Sequence, residues 1–109
     1  MPPAAAKKQD KSTRLIYQRL RERFPGLPQE MDKVVYRYNP ASIRVRVVDA
    51  VFAEKTYTQR EAILEDLLQK LPVNVRSDIT LLLLLTPVEA DDPSDYMNLE
   101  FGQPTGSYL

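Results

Sequence analysis

The sequence predicts an α+β domain, a two-layer sandwich of order α-β-β-α-β whose three-stranded mixed sheet carries its helices on one face. Three stretches predict it. Ile43, Val45 and Val47 alternate with Arg44 and Arg46, the period-two pattern of a strand with one face buried. Ile63, Leu64, Leu67, Leu68 and Leu71 recur at steps of three and four, the pattern of a helix that buries one stripe. Residues 79–85 form a short apolar run with five consecutive leucines, edged by Ile79, Thr80 and Thr86 and stopped by Pro87. That run is far below the roughly 20 residues a membrane span needs, and its length and edges favour a buried strand.

In chain order, residues 1–11 hold Pro, Ala and Lys without periodicity and read as a disordered basic tail. Ser12 or Thr13 is placed to cap a helix reaching Phe24, with Ile16, Leu20 and Phe24 on one face and Arg14, Arg19, Arg21 and Arg23 around the rest. Pro25-Gly26-Leu27-Pro28 ends it. Residues 33–38 read as a strand, and Asn39-Pro40-Ala41-Ser42 as the turn of an antiparallel hairpin with residues 43–48. An irregular connection over residues 49–57 leads to Thr58-Gln59-Arg60-Glu61, a capping-box pattern opening the second long helix. Pro72 closes that helix, residues 73–77 link to the leucine strand, and residues 88–92 suit one helical turn. A right-handed crossover makes the leucine strand parallel to the second strand. The domain is expected over residues 12–90, followed by an acidic, largely flexible tail over 91–109.

Composition narrows the chemistry. The 109-residue chain has no Cys, no His and no Trp. It therefore lacks disulfides, thiolate metal sites, the commonest general base and the commonest transition-metal ligand. Residues 1–47 hold eleven Lys and Arg against four Asp and Glu, and residues 48–109 reverse those numbers, so the zero net charge conceals two oppositely charged halves. Such an arrangement suits a compact domain stabilised by its own charges, or a basic half that meets an acidic partner such as nucleic acid. No apolar stretch follows the N-terminal lysines, so no signal peptide is read and a cytoplasmic protein is expected. Glu61 and Glu65 share a helix face, and Asp49 and Asp78 stand at strand ends where carboxylate oxygens suit a hard cation; cap and turn roles explain all four more simply. With no nucleophile motif or phosphate loop, no enzyme, metal or cofactor is expected.

The order of elements and several residues resemble the BolA-like family over residues 14–90. Phe52, Lys55 and Arg60 stand at the spacings of the family's Phe, Gly-Lys and Arg-His, and Thr86, Pro87 and Glu89 match the close of its last strand. Glu54 stands at the family's Gly, Glu61 and Asp78 at its two His, and Ala90 at its Trp. The family is associated with monothiol glutaredoxins and iron–sulfur clusters through His and Cys ligands, which this chain lacks, so the resemblance implies the fold and not that function. The fold also resembles the second type of KH domain, a binder of single-stranded nucleic acid through a Gly-x-x-Gly loop. Here the glycines are Gly26, Gly102 and Gly106, and no such loop exists.

The expected function is a non-catalytic module that binds another protein or itself through the outer face of the sheet. The alternative is nucleic-acid binding by the basic hairpin. Candidate binding residues are Arg37, Arg44, Arg46, Leu82 and Leu84, with Lys55 and Arg60 beside them. Plain alternation puts Ile79, Leu81, Leu83 and Leu85 on one face of the last strand and Thr80, Leu82, Leu84 and Thr86 on the other. Both faces are leucine-bearing, so the outward set needs a cover. That cover is expected to be a second copy or the tail with Tyr96, Met97, Leu99 and Phe101.

Overall fold

The computed structural model describes residues 7–92 and Phe101. The chain folds as α1 (Lys11–Arg23), β1 (Val35–Asn39), β2 (Ser42–Val48), α2 (Tyr57–Gln69), α3 (Val73–Ser77), β3 (Ile79–Leu85) and α4 (Pro87–Ala90). Among the described residues the sheet has three strands in the order β1-β2-β3, with β1 antiparallel and β3 parallel to β2. The α+β class and the mixed sheet are as expected. The link over residues 73–77 is helical, as α3, and the helical turn expected at residues 88–92 is α4.

Helix starts differ from expectation by a short step, for a shared reason. Several polar residues compete to cap, and in each helix the cap used lies two residues ahead of the nearest expected one. α1 is capped by Asp10, whose side chain accepts from the Thr13 N–H while Thr13 Oγ1 accepts from the Asp10 N–H. α2 is capped by Thr56 with Gln59 in the same reciprocal arrangement, rather than by Thr58 with Glu61. Residues 7–10, expected within a disordered tail, run along β1. The Arg37 N–H donates to the Lys8 carbonyl at 2.9 Å, and the Gln9 side-chain amide donates to the Val35 carbonyl at 2.8 Å.

The core lies between the helices and one face of the sheet. Ile43, Val45, Val47 and Val35 from the sheet meet Ile16, Leu20 and Phe24 of the first helical segment, Leu64 of α2, Val75 of α3 and Phe52. The Phe24 and Phe52 rings meet at a tilt of 45° with centroids 6.0 Å apart. Each such buried side chain contributes about 1.5–3 kcal/mol by leaving water.

The leucine strand departs from plain alternation. Ile43 pairs with Ile79 but Arg44 pairs with Leu81, so Thr80 is an extra residue opposite no partner. This bulge flips the phase of everything after it. Ile79 therefore packs into the helix-side core, whereas Leu81, Leu83 and Leu85 lie on the opposite face. Leu82 and Leu84 pair with Val45 and Val47 and face the helices. The expectation that Leu82 and Leu84 form the outer surface is thus corrected: Leu84 is fully buried in the core, and the outer leucines are the odd-numbered ones.

Candidate protein-interaction face

The outer face is built by side chains that alternate away from the core. β1 contributes Tyr36 and Tyr38, β2 contributes Arg44, Arg46 and Val48, and β3 contributes Leu81, Leu83 and Leu85. In-register pairing puts Arg44 beside Leu81 and Arg46 beside Leu83, so an apolar stripe adjoins a cationic one. An apolar strip of this kind is open to water unless something packs on it.

Phe101 packs on it. Its side chain is 3% exposed and joins a cluster with Tyr36, Leu83 and Leu85. The Tyr36 hydroxyl donates to the Phe101 carbonyl at 2.6 Å, and the two rings meet edge to face with centroids 5.2 Å apart. The Lys7 ammonium stands 5.3 Å from the Tyr36 ring and 5.5 Å from the Phe101 ring. The edge-to-face pair adds about 0.5–1.5 kcal/mol beyond burial, and each cation–π contact about 0.5–1 kcal/mol. Lys7 and Phe101 therefore meet at Tyr36. Of the expected tail residues, Tyr96, Met97 and Leu99 lie outside the described residues, as do Asp95 and Glu100.

Arg44 is almost fully buried. Its guanidinium lies 3.5 Å from the Tyr38 ring centroid and donates to the Tyr36 hydroxyl at 3.3 Å. It thus supports the Tyr36 hydroxyl that donates to the Phe101 carbonyl. Arg46 is half-buried on the same face, one pleat further along β2.

Arg37 does not belong to this face. Its side chain alternates to the helix side, where Nε donates to Asp10 Oδ2 at 2.7 Å and Nη1 to Asp78 Oδ2 at 2.9 Å. Burial pushes the Asp10 carboxyl up, but hydrogen bonds from the Thr13 N–H and Arg37 outweigh it and hold the group below its ordinary value. One arginine thus ties the start of α1, the free side of β1 and the α3–β3 junction together.

Lys55 and Arg60 lie at the far end of the sheet. Lys55 is exposed, and its carbonyl accepts from Arg60 Nε at 3.1 Å. Arg60 also forks onto Glu89, at 2.6 and 3.1 Å, and reaches the Leu84 carbonyl at 2.9 Å. The guanidinium and the Thr86 N–H pull the Glu89 carboxyl down to about 2. This is a clamp between α2, β3 and α4. Asp49 and Asp78 also separate. Parallel strands place the end of β2 beside the end of β3, and Asp78 opens β3, so the two carboxylates sit at opposite ends of the sheet. Asp49 caps the 3-10 turn Ala50–Phe52. Among the described residues no group of three or more carboxylates could hold a metal ion, and no helix is long and apolar enough to cross a membrane.

Sequence reasoning missed Lys7, which it left in the tail, and did not place Tyr36 among the binding residues. The signal for the face was the excess of leucine on both sides of β3. Comparison with family models, with curated proteins and with solved structures finds no match to this chain.

Proposed function

We propose that this chain is a non-catalytic interaction module with a BolA-like, KH type II-like fold, and that it binds another protein through the outer face of its sheet. The observation that carries the reading is the seating of Phe101. Phe101 already occupies this face, its carbonyl accepting from the Tyr36 hydroxyl and its ring lying edge to face with Tyr36 and beside the Lys7 ammonium. A surface organised in this way accepts an aromatic anchor from another chain by the same contacts.

The fold likeness draws support from three positions. Phe52, at the family's Phe, is fully buried. Glu54, at the family's Gly, has φ 59°, in the left-handed region that glycine favours. Arg60 and Glu89, both at matching positions, form the clamp described above. The family's iron–sulfur chemistry does not fit these residues. Its His positions are Glu61, exposed on α2, and Asp78, engaged by Arg37, and the chain offers no thiolate or imidazole. The nucleic-acid alternative has less support, because Arg37, Arg44 and Arg60 are engaged in contacts within the chain.

The test uses Phe101→Ala protein and a fluorescein-labelled peptide of residues 96–106. The peptide is expected to bind the variant at least tenfold more tightly than wild type, whose own Phe101 competes. Adding Leu83→Asp should remove that binding. No binding to the Phe101→Ala protein would refute the reading. A mobility shift with single-stranded RNA that weakens steeply with salt would favour the nucleic-acid alternative.

A further inference from the structure

The two edges of the sheet are treated differently. The free side of β1 is covered by residues 7–10 through the Lys8–Arg37 and Gln9–Val35 hydrogen bonds. β3 is the other edge, and among the described residues no strand pairs with its outer side. The Leu85 carbonyl accepts from the Asp49 N–H on the β2 side, so the Leu84 carbonyl, one residue earlier, points outward, where Arg60 meets it. By the same alternation Leu82 turns its backbone N–H and carbonyl outward. Arg60 thus plugs the edge at Leu84 and, among the described residues, leaves its first half open.

A groove of about 400 Å³ runs beside that open half, with Tyr57 and Leu68 of α2 on one wall and Leu82 on the other. Tyr57 is 46% exposed, one of the most exposed large apolar residues described. The groove also carries Glu61 and Arg76, and neither makes an ion pair among the described residues. Arg76 precedes the start of β3. Glu61 follows Arg60, which reaches Leu84 near the strand's end. The edge therefore runs from a cation to a carboxylate.

We infer that this edge pairs antiparallel with the same edge of a second copy, joining two three-stranded sheets about a twofold axis. An antiparallel copy reverses the order of charges, so each Arg76 approaches the other copy's Glu61. A twofold interface must be self-complementary in this way, each group meeting its counterpart twice. The apolar wall of Tyr57, Leu68 and Leu82 supplies the buried centre, and the outward backbone groups of Leu82 supply the strand pairing. The plug at Leu84 confines pairing to a short stretch, which makes the dimer reversible and blocks open-ended growth. This inference is independent of the outer-face reading, since Phe101 and the β3 edge lie on different surfaces.

The test is sedimentation velocity of the full chain across concentration. Wild type is expected to form a reversible dimer, and Glu61→Arg and Arg76→Glu each to weaken it about tenfold or more by placing like charges together. An equimolar mixture of the two variants should recover dimerisation, because one then supplies both cations and the other both carboxylates. Both positions are exposed, and circular dichroism checks that each variant folds. A wild-type chain that stays monomeric up to about 1 mM would overturn the inference. So would a dimer indifferent to both reversals, or one weakened by Leu83→Asp instead, which would place self-association on the outer face.

Discussion

Glu54 holds φ 59° without the freedom that glycine has there. The left-handed conformation costs a side-chain-bearing residue about 1–2 kcal/mol, and the extra entropy of glycine in the unfolded chain takes back about 0.4–1 kcal/mol. Glu54→Gly is therefore expected to raise stability by about 0.5–1 kcal/mol, and the β-branched Glu54→Val to lower it by at least about 1 kcal/mol, read from urea midpoints. Glu89 gives a pH signature. Its carboxyl titrates near 2 in the folded chain against an ordinary value of 4.5. A depressed carboxylate contributes stability that is fully present above 4.5 and is lost as pH falls through 2. With the Glu89 side chain 41% exposed, screening reduces the contribution to about 1–2 kcal/mol. Glu89→Gln should cost that amount at pH 7 and almost nothing at pH 2, so the two stability–pH curves converge on acidification.

At the scale of elements, β3 shows what the residues reveal and what they conceal. Its existence, length and parallel pairing follow from the apolar run, Pro87 and the handedness of the crossover. Its facing does not. Five leucines in a row look the same under a one-residue slip, so nothing within Leu81–85 fixes the register. The flanks fix it: Thr80 bulges where its hydroxyl meets that of Ser42, and Arg60 pins the Leu84 carbonyl at the other end. A bulge has no strong signature in one sequence, which is why plain alternation groups Ile79 with Leu81, Leu83 and Leu85, whereas it shares a face with Leu82 and Leu84. Capping residues show the same limit in milder form, since Thr56-x-x-Gln59 and Thr58-x-x-Glu61 both fit the rule. The corrected facing predicts opposite fates for neighbours. Leu84→Asp buries a carboxylate in the helix-side core and should prevent folding, at more than about 4 kcal/mol. Leu83→Asp stands beside Arg46 on the outer face and should keep the fold, at about 1–2 kcal/mol, while releasing Phe101. Circular dichroism and amide spectra separate the two outcomes.

Over the whole molecule, the opposite charges of the two halves meet at Arg37. Arg37 from the basic half holds Asp78 from the acidic half as well as Asp10. Lys7 and Phe101 also meet over Tyr36, across a sequence separation that no local pattern encodes. The face is therefore a property of the folded chain, which is why the residues disclosed a need for a cover and named Phe101 for it but not Lys7. This convergence can be measured as an energy. Lys7→Ala and Phe101→Ala, made singly and together, should be non-additive by about 0.5–1 kcal/mol, because each removes a partner of the other. Repeating the cycle in Tyr36→Phe tests the geometry further. Loss of the hydroxyl removes the hydrogen bond to the Phe101 carbonyl while leaving the ring in place. If Tyr36 holds Lys7 and Phe101 in register, the coupling between them should shrink in that background. An unchanged coupling would mean that the leucine stripe alone positions Phe101, and that the hydroxyl only adds stability.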